Sequence, residues 1–549
     1  MKNCLSFHLR WDIWDAELAL ILLGPGWPDR LRVSPLIHRE MNFATQQTSL
    51  AENRISSQAL FLSTEDRGLR AISFLACALF FCALISYNFV DIDLWHEMAL
   101  IRESVAAGHL LKTDPYAYTP TVHPWVDHEW GAGAIAYFAT RWFGSRAIIF
   151  LKYGAALGTA IACFLLAKAR STDFRLFTLC APLAAILAYL GFFSTIRAQA
   201  YSFFFAAVLL CLLEMDRNRS RSWIIPWLVI FPIWVNLHAG FVVGIAFVAL
   251  HAIEQIFRGN RWQHLLWPLL VMNVEIVINP YGRDYFGYLR RSLFMERPYS
   301  PEWNSVLTLG SASVGAFLLA IVIGLYGLAQ ARWRNGSGLF ILSATAIEAV
   351  LHRKMLPFFA IAWLCYVPGY LQHTKAGKWW LGFSERWPRF LSAAWGVFAV
   401  ICLWAGIRFR PWELVVPQPL YPVGAVQYLG EENFAGNLMV PFRLGAYVSW
   451  KLYPAVKVSL DSRYEVAYPD PVVKGVFDFY GAESGWLFTL TDSDTDAVLV
   501  PTDAAVGKEL RTTEWHRVYV DRQFEIYTRP GLSLAVVDSS GSSFQGSFP

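Results

Sequence analysis

Acidic and histidine side chains are concentrated between the first two long apolar runs of the chain. The run Asp-Ile-Asp-Leu-Trp-His-Glu-Met contains Asp91, Asp93 and His96, and the later run Pro-Trp-Val-Asp-His-Glu-Trp contains His128 and Glu129. A carboxylate held in position can take the proton of an attacking hydroxyl group. The three carboxylates are therefore candidate catalytic residues, and the two histidines are candidate substrate ligands. Asp91 and Asp93 could instead hold a divalent cation, Mg²⁺ or Mn²⁺, through hard oxygen ligands.

Cationic and amide side chains stand at the ends of several other apolar runs. They could hold an anionic group while a carboxylate does acid/base work. A plainer alternative stays open for each of them. Arginine and lysine at a helix end can extend to lipid phosphates, and an Asn-x-His sequence can cap a helix or join two helices. The residues concerned are Arg197, Asn236, His238, Arg283, Arg353 and Lys354.

The composition indicates that a membrane protein carries these residues. The chain is 55% hydrophobic and only 16% charged, its mean hydropathy is +0.37, and soluble proteins are about 25% charged. The net charge of +4 is too small to indicate nucleic acid binding. A span needs about 20 apolar residues, and about eleven runs approach that length. They are 71–90, 147–167, 174–193, 198–215, 223–235, 241–257, 265–278, 311–329, 339–350, 355–370 and 391–407.

The distribution of Lys and Arg predicts how these spans are oriented, because cytoplasmic loops carry the excess of basic residues. Lys and Arg are enriched in the loops of one side throughout the chain only if the short run 131–143 does not cross the membrane. This run is therefore predicted to lie along the outer interface. An odd number of spans then places the first loop, 91–146, and the C-terminal region outside the cytoplasm. We expect a multi-pass protein of the plasma (inner) membrane. The predicted cytoplasmic basic clusters lie near 168–175, 217–221, 258–261, 332–334 and 375–389.

Changes in composition divide the chain into four predicted segments. Residues 1–69 are expected to be a disordered N-terminal segment, or to include residues that precede the true start. Residues 70–410 form the transmembrane domain. Residues 411–530 form a small α/β domain, because short β-branched and aromatic runs alternate there with Gly and Pro, and residues 531–549 are a disordered Ser/Gly-rich tail. In the α/β domain, the sequence Asp-Ser-Arg at 461–463 either reaches toward the membrane cavity or holds a turn by an ion pair.

The order of these features resembles the GT-C glycosyltransferase architecture. A first span, an outer acidic pair, two helices along the outer interface, further spans and an outer C-terminal domain also occur in protein O-mannosyltransferases, oligosaccharyltransferases and the lipid A aminoarabinose transferase. The runs DIDLWHEM, DPYAYTPT and PWVDHEWG are similar to an uncharacterised group of bacterial membrane proteins associated with that superfamily. The resemblance covers roughly residues 70–410 as topology and only short stretches as motif. It implies a polytopic α-helical membrane fold followed by a soluble α/β domain.

The resemblance also implies an activity. The protein would transfer a sugar, with inversion, from a polyprenyl-phosphate-linked donor to a glycan, lipid or protein acceptor on the outer side. Carried onto this sequence, the acidic motif falls on Asp91 and Asp93. The O-mannosyltransferases have adjacent Asp and Glu, whereas Ile92 separates the two acids here, so the choice of base among Asp91, Asp93 and Glu129 stays open. Arg197, Arg353 and Lys354 are assigned to the phosphate by charge and side alone.

Two other classes of function stay open at this stage. A transporter or flippase of a lipid-linked envelope substrate would carry inverted repeats and broken helices, and the sequence has no convincing repeat. A non-catalytic scaffold would have no use for the acidic loop. The sequence has no nucleotide-phosphate loop, so a nucleotide-sugar donor is not expected.

Overall fold

The computed structural model describes residues 64–331, 336–409, 411–491 and 493–549. Residues 1–63 lie outside the described residues. The expectations of a disordered N-terminal segment and of a later true start concern these residues. From Gly68 to Pro549 the chain is one compact unit. This unit combines a helical bundle with a C-terminal α/β sheet.

The bundle contains fifteen helices longer than a single turn among the described residues. In chain order they are α1 Thr64–Leu84, α2 Ile92–Ala107, α3 Trp130–Phe143, α4 Ala147–Ala169, α5 Phe174–Ala188, α6 Ala198–Arg217, α7 Ile224–Leu237, α8 Phe241–Phe257, α9 Leu266–Glu275, α10 Asp284–Phe294, α11 Ser311–Ala331, α12 Leu339–Leu351, α13 Leu356–Leu371, α14 Lys375–Arg386 and α15 Pro388–Arg408.

Seven of these helices are long and apolar enough to cross a membrane: α1, α4, α5, α6, α11, α13 and α15, counting the single turns that extend α5 and α13. Helices α7, α8 and α12 are apolar but shorter, and the predicted run 265–278 contains only the 10-residue helix α9. The chain is thus a polytopic α-helical membrane protein, as predicted. The number of eleven spans stays a prediction.

Helix α13 is the centre of the bundle. All of its residues are buried, because it is apolar on every side and packs against α4, α5, α11 and α12. Helices α11 and α15, which are equally apolar, leave most of their side chains exposed or only half-buried instead, as membrane-facing helices do.

Helix α2 differs from its predicted amphipathic pattern. The spacing of Leu94, Met98, Ile101 and Val105 predicts one buried face, but the structure buries every residue from Leu94 to Ile101 and exposes Val105. The C-terminal domain covers the second face. For example, the Trp95 ring lies 5.0 Å from that of Tyr447 and 5.3 Å from that of Phe548.

Two glycines set the position of α3. A Cβ atom on Gly131 would lie 2.4 Å from the carbonyl oxygen of Asn236, and one on Gly133 would lie 2.6 Å from that of Glu97. Only glycine permits such close backbone contacts. Helix α3 therefore packs tightly against both α2 and the end of α7. Its 14 residues are short of the roughly 20 that a span requires, and its predicted position along the outer interface stays a prediction.

The C-terminal region forms a mixed six-stranded sheet in the order β2-β1-β3-β5-β4-β6. The alternating runs 517–520 and 524–527 predict a hairpin around residues 521–523. The structure confirms it, since β4 and β5 pair antiparallel. Strand β1 was not predicted, because it has only four residues and begins with Gly-Asn. The strands are β1 Gly436–Met439, β2 Val456–Val458, β3 Ala497–Pro501, β4 His516–Val520, β5 Phe524–Thr528 and β6 Val537–Asp538, and the helices are α16 Val423–Glu431, α17 Phe442–Leu452, α18 Tyr464–Ala467, α19 Asp470–Gly481, α20 Trp486–Thr491 and α21 Val506–Leu510.

The tail 531–549, which its composition predicts to be disordered, makes specific contacts in the structure. Strand β6 pairs with β4, Gly546 bridges to Val416, and Phe548 packs on Trp95. Two phenylalanines of this Ser/Gly-rich segment, Phe544 and Phe548, pack against apolar residues. The average composition of a segment does not predict contacts made by single side chains.

The α/β region is joined to the first loop by backbone and ionic contacts. Val90 donates its N–H to the carbonyl of Val415 at 2.9 Å, and the buried Arg463 pairs with Asp461 and, at 2.6 Å, with Asp114 of the loop. The ion pair within Asp-Ser-Arg is therefore present, and it also ties the domain to the loop that carries the acidic residues.

Candidate active site

The acid pair after the first span begins helix α2. Asp91 is the N-cap, and its side chain accepts the N–H of Asp93 at 3.1 Å, which is the usual role of aspartate at this position. Ser194 donates its hydroxyl to the other Asp91 oxygen at 2.7 Å. Asp91 is buried, whereas the Asp93 side chain remains one-quarter exposed. Of the two, Asp93 is thus the one that a substrate can reach.

Arg197 joins three carboxylates. Its guanidinium lies 3.6 Å from Asp91, 3.1 Å from Asp93 and 2.5 Å from Glu302, and its side chain is only 12% exposed. The sequence assigned Arg197 to a phosphate. The structure gives it carboxylate partners on α2 and on the loop between α10 and α11, so it holds the acid pair in place.

Two further carboxylates that sequence reasoning did not select lie in the same cluster. Glu97 is 4% exposed and Asp127 is 8% exposed. Burial, with Glu129 and Asp93 next in importance, raises the pKa of Glu97 well above its usual range, and burial raises the pKa of Asp127 to about 6. The spacing of Glu97 four residues after Asp93 on one helix would have identified it.

The pKa of Asp93 is also raised well above its usual value. Burial is the largest cause, the charge of Asp91 adds to it, and the charge of Arg197 opposes it without cancelling the effect. Carboxylates thus outnumber the cations that face them. Shifted carboxylates in a polar cluster are typical of active sites.

Glu129 faces two histidines. One of its oxygens lies 3.5 Å from Nε2 of His128 and 3.6 Å from Nε2 of His238. Nδ1 of His238 accepts the N–H of Gly240 at 2.9 Å, so the proton of the neutral ring is on Nε2 and is directed at Glu129. Burial lowers the pKa of His238 well below its usual value, which keeps the ring neutral.

Side chains of α6 and α7 hold the His238 ring in this orientation. Trp234 donates to the Ser202 hydroxyl at 2.7 Å, and that hydroxyl lies 2.8 Å from Nδ1 of His238. The His128 ring stacks on Tyr288, with 4.7 Å between centroids. Because α3 packs tightly against α2 and the end of α7, Glu129 at its start reaches both histidines.

Three of the predicted substrate ligands lie elsewhere or have structural partners. His96 is buried with its Nδ1 2.7 Å from the Ser462 hydroxyl, and burial lowers its pKa to about 3. The side-chain oxygen of Asn236 accepts the indole N–H of Trp130 at 3.0 Å, and its side-chain nitrogen donates to two backbone carbonyls. Arg283 is exposed at the start of α10. The binding roles of all three stay predictions, but the present contacts of His96 and Asn236 are those of structural residues.

Arg353 and Lys354 lie at the start of α13, beside the loop that carries Glu302. The Arg353 N–H donates to the carbonyl of Asn304 at 2.8 Å, and Lys354 Nζ lies 3.1 Å from the centroid of the Trp303 ring. In the part of the chain that the structure describes, the Arg353 guanidinium makes no hydrogen bond or ion pair. The Arg353 guanidinium is therefore better placed than that of Arg197 to receive an incoming anion, and Lys354 adds a neighbouring positive charge.

A divalent cation at Asp91 and Asp93 does not fit this arrangement. Among the described residues, no group of three His, Cys, Asp or Glu side chains is placed to hold a metal ion. The positive charge next to both aspartates is that of Arg197. The chemistry that these residues can perform is therefore proton transfer by a carboxylate next to cations that bind an anion.

Solved structures share this fold, whereas no protein-family model and no curated protein matches the chain. The archaeal oligosaccharyltransferase AglB from Archaeoglobus fulgidus, in complex with an inhibitory peptide and a dolichol-phosphate, matches with a TM-score of 0.52 and 12% identity over 78% of this chain and 69% of AglB. ArnT from Cupriavidus metallidurans, bound to undecaprenyl phosphate, matches with a TM-score of 0.51 and 13% identity over 83% of this chain and 97% of ArnT. The chain therefore shares the fold of these two membrane proteins, as the sequence resemblance predicted.

Proposed function

We propose that the protein is a membrane glycosyltransferase that transfers a sugar from a polyprenyl-phosphate-linked donor to an acceptor hydroxyl. The observation that carries this proposal is the juxtaposition, at one end of a GT-C bundle, of the carboxylate cluster with the cations Arg353 and Lys354. Two proteins of this fold are solved with polyprenyl phosphates, which supports the donor class.

Asp93 is the proposed general base. It is the more exposed member of the acid pair, and its raised pKa makes it a stronger base than an ordinary aspartate once it is ionised. Asp91 is a positioning residue, because it caps α2 and receives the Ser194 hydroxyl. Glu129, oriented by His238, is proposed to bind the hydroxyl groups of the transferred sugar.

The reaction is a single displacement. The acceptor oxygen attacks the anomeric carbon while its proton passes to the Asp93 carboxylate. The bond from that carbon to the phosphate oxygen breaks, and polyprenyl phosphate leaves with the bonding electrons. Arg353 and Lys354 stabilise the negative charge on the leaving phosphate. One displacement inverts the configuration at the anomeric carbon.

The basic residues of the short loops support a plasma membrane location with the site and the α/β domain outside the cytoplasm. The donor lipid would then lie in the bilayer with its phosphate at the outer surface, level with Arg353 and Lys354. The acceptor would be a glycan, lipid or protein of the cell envelope.

The test is a profile of envelope glycans and lipid-linked sugars from cells that carry the wild type, Asp93→Asn, Asp91→Asn or no copy. We expect the deletion and Asp93→Asn to lose one sugar modification and to accumulate its polyprenyl-linked donor. Asp503→Asn, an exposed carboxylate of the α/β domain, is the matched control and should behave as wild type. If the deletion has a phenotype that Asp93→Asn and Asp91→Asn do not reproduce, the acid pair is structural and a transporter or scaffold becomes the better explanation.

A further inference from the structure

Helix α14 lies at the end of the bundle remote from the candidate active site. Helix α13, whose N-terminal end adjoins Arg353 and Lys354, runs for 16 residues to Leu371, which corresponds to about 24 Å. A short connection, 372–374, then joins α13 to α14, and Trp387 alone joins α14 to the apolar helix α15. Since α14 is tied at both ends to helices long enough to cross a membrane, it is held at the membrane surface.

One face of α14 is fixed to the bundle. The indole N–H of Trp380 donates to the backbone carbonyl of Arg175, near the start of α5, at 3.2 Å. Gly377 and Ser384 are buried on the same side of the helix, and the Thr374 side chain caps the helix by accepting the Gly377 N–H at 2.9 Å. These contacts fix the rotation of α14 about its own axis, so its opposite face is turned away from the protein.

The outward face of α14 carries cations and an exposed tryptophan. Lys375, Lys378 and Arg386 are exposed, and Trp379 is 67% exposed. Among the residues that the structure describes, the three cationic side chains have no hydrogen-bond or ion-pair partner. The acid of this helix, Glu385, lies 3.8 Å from a guanidinium nitrogen of α5 instead. The outward face therefore combines positive charge that is not neutralised with an aromatic ring.

A gap between side chains separates two of these cations. Gly382 comes four residues after Lys378 and four residues before Arg386, so it lies between them on the helix surface. A Cβ atom on Gly382 would meet no side chain of the described residues within 4 Å, so the surface there is open. Trp379, three residues before Gly382, borders the same gap. A phosphate group in the gap can contact both cations while the apolar part of its lipid packs on the indole ring.

We propose that this face of α14, formed by Lys375, Lys378, Trp379, Gly382 and Arg386, binds the headgroups of anionic phospholipids in the surrounding bilayer. Clusters of Lys and Arg at a membrane surface attract anionic lipids, because the charge of such a leaflet is opposite to theirs. A zwitterionic headgroup also carries a positive charge, so its attraction to these cations is weaker. The inference does not depend on the proposed transferase activity, since α14 lies at the other end of α13 from the candidate active site.

Native mass spectrometry of single lipids bound to the purified full chain in detergent tests the proposal. We expect dioleoylphosphatidylglycerol to bind more tightly than dioleoylphosphatidylcholine. The variant Lys375→Gln/Lys378→Gln/Arg386→Gln should weaken phosphatidylglycerol binding by about fivefold for each cation removed, and it should leave phosphatidylcholine binding unchanged. Its melting temperature without added lipid should equal that of the wild type, because the three cations are exposed and make no ionic contacts among the described residues.

The matched control removes the same amount of charge elsewhere at this end of the bundle. Arg219→Gln/Arg221→Gln/Arg261→Gln replaces three exposed cations in the loops that follow α6 and α8. This loop variant should bind phosphatidylglycerol as tightly as the wild type does. A loss equal to that of the α14 variant would show a general effect of positive charge and would overturn the proposal.

A charge-preserving variant, Lys375→Arg/Lys378→Arg/Arg386→Lys, separates attraction of the headgroup from a change in structure. It should retain nearly all of the wild-type affinity for phosphatidylglycerol. If it binds as weakly as the glutamine variant, charge on α14 is not what holds the lipid and the proposal is wrong. Equal affinity of the wild type for the two lipids would overturn it as well.

Discussion

The two ends of helix α6 carry charge clusters of opposite character. Its 20 residues separate the clusters by about 30 Å. The site cluster consists of Asp91, Asp93, Glu97, Asp127 and Glu129, near Arg197. The opposite-end cluster consists of Arg170, Glu214, Asp216, Arg217, His251 and Glu254.

Carboxylates of the opposite-end cluster have short, matched partners. Glu254 accepts the Gly338 N–H through both oxygens, at 3.0 and 2.9 Å, and pairs with Arg217 at 3.4 Å. The two carboxylate oxygens of Asp216 lie 2.9 Å from Nε2 of His251 and 2.7 Å from Nε2 of His264. At the site, by contrast, burial and mutual repulsion raise the pKa of Asp93 and Glu97. The opposite-end cluster therefore stabilises the fold, whereas the site cluster retains unfavourable charge of the kind found at functional sites.

The largest expected effect is on turnover. Asp93→Asn should lower activity by about 10²–10⁴-fold, because removing a general base costs on this order, while the melting temperature in detergent does not fall. The acidic limb of the wild-type pH–rate profile should lie above the usual aspartate pKa of about 3.9. The base must be ionised to act, and burial with the charge of Asp91 raises the pKa of Asp93, so the rate rises with pH through that higher value. A melting temperature that drops as far as the activity would give Asp93 a structural role instead.

The next prediction removes one charge at each end of α6 and compares the effects on stability. Glu254→Gln should destabilise the protein by about 3 kcal/mol, because it removes a buried charge that pairs with Arg217 and leaves Arg217 with Glu214 as its carboxylate partner. Glu97→Gln should leave stability unchanged or raise it, since glutamine replaces a carboxyl whose raised pKa favours the neutral form. Thermal unfolding of the two variants in one detergent checks the signs. Equal losses would show that both ends are structural.

A smaller, pH-dependent effect is expected at Asp127. Burial raises its pKa from 3.8 to about 6, so the folded state binds this proton more tightly than the unfolded state. Its contribution to stability therefore becomes unfavourable as pH rises from about 4 to about 6. Asp127→Asn should be more stable than wild type above about pH 6, by up to about 2–3 kcal/mol, and equal to it near pH 4. Melting curves across this range test the sign, and a difference that does not vary with pH would contradict it.

The smallest effect concerns donor affinity. Lys354→Met should raise the KM for a polyprenyl-linked donor about tenfold with less change in kcat, because one charge-assisted contact to the phosphate is lost. Lys508→Met, which removes an exposed cation of the α/β domain, is the control and should change neither constant. Equal effects of the two substitutions would indicate general surface charge rather than a phosphate site.

Much of the fold could be predicted because its causes are local. The long apolar runs became α1, α4, α5, α6, α11, α13 and α15, and the β4–β5 hairpin follows from alternation around a three-residue turn. Strand β1 and the packed tail were missed, because each depends on distant partners. The second buried face of α2 was missed for the same reason, since it exists only because the C-terminal domain covers it.

Several residues of the site could be predicted from the sequence, but their interaction partners could not. Asp91, Asp93, Glu129 and His238 were selected, and the structure brings them to one end of the bundle. Arg197 was assigned to a phosphate, yet its partners are Asp91, Asp93 and Glu302. The last of these lies more than 100 residues away in the chain.

The sequence alone indicates a polytopic membrane protein with an acid pair at the start of a helix. Apolar length and helix capping are properties of neighbouring residues, so they can be derived from the chain alone. Which carboxylates have cationic partners and which repel one another follows only from the three-dimensional arrangement. It depends on distances between helices, and the close packing at Gly131 and Gly133 sets the distances from α3 to α2 and to the end of α7. Electrostatic interaction depends on separation in space and on burial, and neither is a property of position along the sequence.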